Sequence, residues 1–193
     1  MNARSTLRKR SRALRSALGA RVRRDASLAI CRRLRASPLF CAARHIGFYW
    51  PLGEEVDLRD LLGVALRRRK RCYLPVMRAD GRLWFVRYRP GTELLNSRHG
   101  IVEPRYSPRD ALAPERLGVV FVPLLAFDRH GMRLGTGGGF YDRSFAFKRT
   151  SNNANPKLVG VGFACQEAEA LAREAWDVPL AWVATEKELI RCG

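Results

Sequence analysis

The chain has no apolar run near the roughly 20 residues that a membrane helix needs, so no spanning segment is expected. A C-x-x-C pair is also missing. The five cysteines, Cys31, Cys41, Cys72, Cys165 and Cys192, are odd in number and scattered, which argues against a disulfide framework and against a structural zinc site. A reducing cytoplasm suits such thiols. Met1 to Arg8 are basic but lack an apolar segment behind them, so they do not read as a secretory signal. Acids are few: 18 Asp and Glu face 36 Lys and Arg, for a formal charge of +18.

A pI near 11.0 raises nucleic acid as a partner, since clustered guanidinium groups neutralise phosphates and release counterions. The excess is overwhelmingly arginine and lies largely on segments whose other face is apolar. A basic nucleic-acid-binding module therefore stays as the alternative, with weak, non-specific affinity the most it implies. The same field would steer small polyanions toward a site. With 193 residues, 47% of them hydrophobic, one well-buried domain is expected rather than two.

Leu7, Leu14 and Leu18 recur at helical spacing and predict a helix from about 4 to 20, basic around the rest of its cylinder. A second helix is expected over Asp25 to Arg35, capped by Asp25 or a neighbour and ended before Ser37-Pro38. His45 to Trp50 reads as a short strand. Asp57 to Lys70 is the clearest helix, with Leu58, Leu61, Leu62, Ala65 and Leu66 on one face. The basic run Arg67 to Arg71 fits that helix's C-terminus better than a nucleic-acid address. Strands follow at Cys72 to Met77 and Leu83 to Tyr88, joined through Asp80-Gly81. Strand, helix, strand implies a parallel crossover. Periodicity then fails from Pro90 to Arg116. Further strands are expected at Leu117 to Leu125 and Lys157 to Phe163, with a helix over Phe140 to about Arg149 between them. Thr150 to Pro156 reads as a polar turn, and the glycines of 157–163 as places where a ligand or a backbone approaches closely.

The most informative stretch follows the turn Asp128-Arg129-His130-Gly131. It is Arg133-Leu134-Gly135-Thr136-Gly137-Gly138-Gly139-Phe140-Tyr141-Asp142-Arg143. Four glycines within five residues let backbone N–H groups converge on an anion at a helix N-terminus, and a phosphate suits that place. The aromatic pair, carboxylate and guanidinium that follow suit a planar ring, a divalent cation and a phosphate. No Gly-Lys-Ser/Thr closes the loop, and the dinucleotide fingerprint's spacing is missing.

With Pro123 to Asp128 before it, this stretch resembles the signature of the 5-formyltetrahydrofolate cyclo-ligase (5,10-methenyltetrahydrofolate synthetase) family, and the similarity runs from the first helix to Thr185-Glu186. The resemblance implies a single α/β domain over 1–193, a mostly parallel sheet flanked by helices (NagB/RpiA/CoA transferase-like). It implies a ligase forming a C–N bond, which uses ATP and Mg2+ to convert 5-formyltetrahydrofolate into 5,10-methenyltetrahydrofolate, releasing ADP and phosphate.

The resemblance also assigns roles. Arg133, Leu134, Gly135, Thr136, Gly137, Gly138, Gly139, Phe140 and Tyr141 match the family's ATP cradle, with Arg4 and Arg8 opposite; Arg8 and Arg12, at the same spacing, are the alternative pair. Trp50 and Glu55 match residues beside the pterin, and Thr136 to Phe140 face the formyl group. A carboxylate suits the pterin's N–H edge, although Glu54, Glu55 and Asp57 also suit the start of a helix. Asp142 and Asp177 match the magnesium ligands, and Ala181 stands where many members have a second acid. Gly100-Ile101-Val102-Glu103-Pro104 resembles a substrate-side element, which keeps Glu103 in reserve. With no Arg or Lys inside the glycine loop, phosphate charge there falls to Arg133, Arg143 or the N-terminal pair. Small-molecule substrates and a monomer are expected, with no specific nucleic acid and no membrane. Another phosphoryl-transfer enzyme on a similar sheet is the further alternative.

Overall fold

The computed structural model describes residues 3–97, 100–150 and 155–193. In chain order the elements are α1 (Ala3–Ala17), α2 (Ala20–Ala36), α3 (Pro38–Ala42), β1 (His45–Gly47), α4 (Arg59–Arg67), β2 (Arg71–Met77) and β3 (Leu83–Tyr88). There follow β4 (Leu94–Asn96), β5 (Val102–Pro104), β6 (Ala111–Leu112), β7 (Val119–Pro123), β8 (Ala126–Phe127), β9 (Arg133–Leu134), α5 (Phe140–Ser144), β10 (Lys157–Val161), β11 (Trp182–Ala184) and β12 (Leu189–Arg191).

Eight strands form one sheet in the order β12-β11-β10-β7-β1-β2-β3-β6. The five in the middle run parallel, and the edges are closed by antiparallel β12 on one side and β3 and β6 on the other. The parallel strands are apolar almost throughout, as a sheet covered on both faces requires. α2, α3 and α4 cover one face through Ile30, Leu34, Phe40, Leu61 and Ala65. Phe127, Phe145, Val178 and Leu180 fill the other. The expected α/β architecture is present, and β1, α4 and β2 form the parallel crossover.

Several boundaries differ from expectation. α2 begins at Ala20 behind Gly19, with no side-chain cap, because Ala20 to Arg24 are adequate helix formers that need no acid to start them. Asp25 sits inside the helix beside Arg21, at 3.9 Å. α4 stops at Arg67 because Arg69 turns left-handed (φ 56°). The Arg69 N–H bonds Leu66 O at 2.9 Å and the Lys70 N–H bonds Ala65 O at 2.9 Å, the paired bonds of a Schellman ending. Lys70 Nζ then donates to Cys41 O and Ala43 O, both at 2.8 Å, so part of the basic run serves helix ends. Strand β1 closes at Gly47, short of Trp50.

The helix after the glycine loop is the largest correction. It has five residues, Phe140–Ser144, before a 3-10 turn over Ala146–Arg149. So short a helix carries little macrodipole, and any anion affinity of the loop must rest on its own N–H groups and nearby guanidiniums. Between Pro90 and Arg116 the chain forms the β4–β5 hairpin and strand β6, which are too short to show periodicity. Of the expected polar turn, 151–154 lie outside the described residues.

Gly160 illustrates close approach of a different kind from that expected. A Cβ there would lie 2.5 Å from Leu180 Cδ1 and 2.8 Å from Leu124 Cδ2, so side chains rather than a ligand occupy the space. Gly160→Ala is expected to cost about 1–3 kcal/mol by overpacking, read as a lower urea midpoint. An unchanged midpoint would mean that the two leucines yield freely.

Candidate functional site

The loop that carries the glycines is set by the hairpin before it. Asp128 is buried and accepts N–H groups from His130 (3.0 Å), Met132 (2.9 Å) and Leu171 (2.9 Å). Gly131 has φ 86°, and a Cβ there would stand 2.5 Å from Leu180 O, so only glycine lets the 178–181 segment lie against the turn. The Leu180 N–H to Gly131 O bond, 2.8 Å, fixes that approach. In the loop itself, Gly137 and Gly139 take positive φ of 115° and 64°. A Cβ on Gly138 would meet the Phe140 ring at 2.4 Å. Each of these three glycines therefore has its own requirement.

Asp142, in the first turn of α5, joins three segments. Its Oδ1 accepts from Arg133 at 2.6 Å and from the Val178 N–H at 3.1 Å, and Arg133 also donates to Val178 O. Asp177, one residue before Val178, pairs with Arg4 at 2.6 Å and accepts from the Glu174 N–H at 2.8 Å. From the same helix, Arg8 Nε donates to Gly135 O at 3.0 Å. Asp142 and Asp177 are thus linked through Val178, Arg8 meets the glycine loop, and Arg4 reaches Asp177 rather than the loop. Arg12 is exposed.

A cavity of about 160 Å³ opens at the carboxyl ends of β1, β2 and β7. Trp50 and Glu55 line one side. Gly135 to Asp142, with Arg133, line another, and Met77, Leu83 and Leu124 supply an apolar wall. Leu134 points elsewhere: it is buried and lines a smaller hollow with Arg4, Leu7 and Arg133. Arg143 is also turned away, donating to Gly138 O (2.6 Å) and Gly81 O (2.9 Å) from the outside of the loop. It braces the loop and leaves Arg133 to line the cavity, while Arg8 is held at Gly135 O and Arg4 lies in the smaller hollow.

The three acids after β1 separate cleanly. Asp57 accepts the Arg59 N–H at 2.9 Å and pairs with its side chain, the helix-start role. Glu54 ties the basic helices together, accepting Ser16 Oγ at 2.5 Å with Arg15 and Arg23 nearby. Only Glu55 faces the cavity. Burial raises its carboxyl above the ordinary glutamate range, against the opposing pull of the Leu52 N–H (3.1 Å) and Arg15.

Of two phenols at the cavity, Tyr141 was expected on the ATP side and Tyr49 was not foreseen. Tyr49 is buried and donates to Val56 O at 2.7 Å, seating the loop that bears Glu55. Tyr141 stacks on Phe145, and its Oη is buried without a hydrogen-bond partner among the described residues. Burial first, and the Glu55 charge second, raise both phenols, so each remains a donor at neutral pH. Alternation after β1 could have pointed to Tyr49; nothing local marks the Tyr141 hydroxyl. Glu103 also lines the cavity and accepts the Met77 N–H at 3.1 Å.

A mainly parallel sheet with its cavity at the carboxyl ends of the strands, where open α/β folds bind ligands, places the molecule among the α/β enzymes. The profile of the 5-formyltetrahydrofolate cyclo-ligase family matches residues 1–186, and the chain belongs to that family. The 5-formyltetrahydrofolate cyclo-ligase of Escherichia coli is 38% identical over 161 residues, covering 81% of this chain and 86% of that protein. The Haemophilus influenzae protein of the same name is 37% identical over 140 residues, with 72% and 73% covered. An NMR structure of Aquifex aeolicus 5,10-methenyltetrahydrofolate synthetase superposes with a TM-score of 0.83 at 32% identity, covering 98% of this chain and 93% of that one. A Mycoplasma pneumoniae 5,10-methenyltetrahydrofolate synthetase superposes at 0.73 over 96% and 99%; at 21% identity it shows the fold alone.

The raised carboxyl of Glu55 has a consequence for stability. A folded-state pKa above the unfolded value favours the fold most below the ordinary glutamate range and loses that contribution as pH rises through the raised value. Glu55→Gln has no such loss. Between about pH 4 and pH 7 the parent should fall in urea midpoint relative to Glu55→Gln; a parent that gains on the variant contradicts the assignment.

Proposed function

We propose that the chain catalyses the ATP- and magnesium-dependent cyclisation of 5-formyltetrahydrofolate to 5,10-methenyltetrahydrofolate, acting as a single unit over 1–193. The observation that carries this reading is the shared cavity: Glu55 and Trp50 stand across from the glycine loop and Asp142, so a flat ring and a phosphate chain would meet there. Family membership supplies the substrate class.

The formyl oxygen attacks the γ-phosphorus and ADP leaves, which turns a poor leaving group into phosphate. N10 of the folate then attacks the formyl carbon, loses its proton, and phosphate departs as the ring closes. Such chemistry asks the protein mainly for positioning and charge neutralisation. Loop N–H groups from Gly135 to Tyr141, with Arg133, Arg8 and Arg4, would receive the phosphates, and Leu134 would sit behind them. Glu55 accepts from the pterin's N–H edge, Trp50 packs beside the ring, and Thr136 to Phe140 face the formyl group. The Tyr141 hydroxyl, without a hydrogen-bond partner among the described residues, offers a donor in the same cavity.

Magnesium binds through one or two carboxylates plus phosphate oxygens and water, and Asp142 and Asp177, one residue from the shared Val178 contact, fit that need. The ion, when bound, neutralises phosphate charge. Each carboxylate is now matched by a guanidinium, Arg133 and Arg4, and the Arg4 pair must open for Asp177 to take a metal. A reducing cytoplasm, to which five free thiols are suited, and a monomeric state belong to the same reading.

Absorbance of the methenyl product should rise only when ATP, magnesium and 5-formyltetrahydrofolate are all present, and Asp142→Ala should lower the rate by on the order of 100-fold or more. ATP turnover that ignores the folate would point to another phosphoryl transfer. Tight nucleic-acid binding without product would point to the basic-module alternative.

A further inference from the structure

The end of the sheet opposite the cavity carries a group of basic side chains that the proposed reaction does not use. His45 pairs in register with Arg71 on β2, and Tyr73, two residues on, with Arg87 on β3. Registered neighbours and residues two apart share one face, so these four side chains stand together. The His45 and Tyr73 rings stack with centroids 5.7 Å apart, and Tyr73 Oη lies 2.9 Å from His45 Nδ1. The Arg87 guanidinium covers the Tyr73 ring at 5.6 Å. Arg116 joins from the 3-10 turn Pro114–Arg116, which packs on β3. Arg44, immediately before His45, falls by the same alternation on the other face and acts on His45 only as a nearby charge.

No ion pair among the described residues involves Arg44, Arg71, Arg87 or Arg116, and Glu115, the acid beside Arg116, is in none either. Arg87 Nε is moreover buried without a hydrogen-bond partner among them. A buried cationic donor without an acceptor is costly. Burial first, then Arg71, Arg44, Arg87 and Arg116, push His45 below the ordinary histidine range, so the cluster holds its histidine neutral in the absence of an anion.

We propose that Arg71, Arg87, Arg116 and His45 form a second anion site, remote from the cavity, that binds a compact phosphate-bearing ion such as a diphosphate or triphosphate chain. Guanidinium forks match phosphate oxygens in pairs. Three adjacent strand ends, about 4.8 Å apart, span roughly 10 Å, enough for two or three phosphates and short for an extended nucleic-acid strand. Gly47 closes β1 only two residues after His45, and Trp50 at the cavity is three further on, so the two sites lie at opposite ends of the sheet. The proposal does not depend on the folate reading.

The His45 imidazole reports the site. Its titration is followed by NMR at constant ionic strength, with His45→Gln identifying the signal, in chloride and then with pyrophosphate, ATP or a single-stranded oligonucleotide. Pyrophosphate and ATP should each raise the His45 midpoint by about one pH unit, a tenfold change in proton affinity. The double variant Arg71→Ala/Arg116→Ala, both exposed in the parent, should lose that increment while keeping its near-UV circular dichroism and its turnover. The proposal is overturned if pyrophosphate moves the midpoint no more than chloride, if the increment survives the double variant, or if only ATP or only the oligonucleotide produces it.

Discussion

Asp142 is the point on which the site depends, because one carboxylate oxygen serves two elements at once. It receives Arg133 from β9 and the Val178 N–H from the segment that leads into β11, while Arg133 returns a bond to Val178 O. The result holds the exit of the glycine loop against the stretch that contains Asp177. Were the carboxylate neutral or absent, Arg133 would remain, with only 6% of its side chain exposed, as a charge in want of a partner. Charge-assisted bonds in such partly dry surroundings outweigh neutral ones, which is why this contact can orient a loop that has little packing of its own.

The arginine excess has a related logic. Many of these side chains act as carbonyl caps rather than as surface charge. Arg33 reaches the carbonyls of Thr185, Glu186 and Lys187 at 3.2, 3.0 and 2.7 Å. Arg143 bridges Gly138 and Gly81, Arg8 meets Gly135 O, and Arg23 meets Leu18 O. A guanidinium has five donors in a fixed plane and can gather several carbonyls from irregular segments. The loops around the cavity are irregular and need such donors. A net charge of +18 is therefore a poor guide to partners, and what matters is which guanidiniums remain unmatched after this internal use.

α1 shows how one helix can serve separate places. Arg4 meets Asp177, Arg8 the glycine loop, and Arg15 and Ser16 the Glu54 side chain. Its few apolar residues, among them Leu7 and Leu14, face a hollow shared with Cys165 and Gln166, and Gln166 in turn donates to Leu124 O and Leu125 O at 2.9 Å each. The helix is held by polar contacts at intervals rather than by a broad apolar seam.

Residue periodicity determined the parallel crossover, the covered strands and the clearest helix, since a buried strand or an amphipathic stripe is a local pattern. The resemblance carried by the glycine stretch determined the family, and with it the neighbourhood of Trp50, Glu55 and Asp142. Tertiary structure alone decided which of three consecutive acids enters the cavity: Glu54, Glu55 and Asp57 are alike in chemistry, and only the packing of α1, α2 and Tyr49 around them separates an inter-helix tie, a buried carboxyl and a helix-start acid. It also decided that Arg143 braces the loop from outside, and that α5 is too short to lend its dipole. These outcomes depend on contacts between residues up to 173 positions apart, as Arg4 and Asp177 are, and no local pattern encodes a distance of that kind.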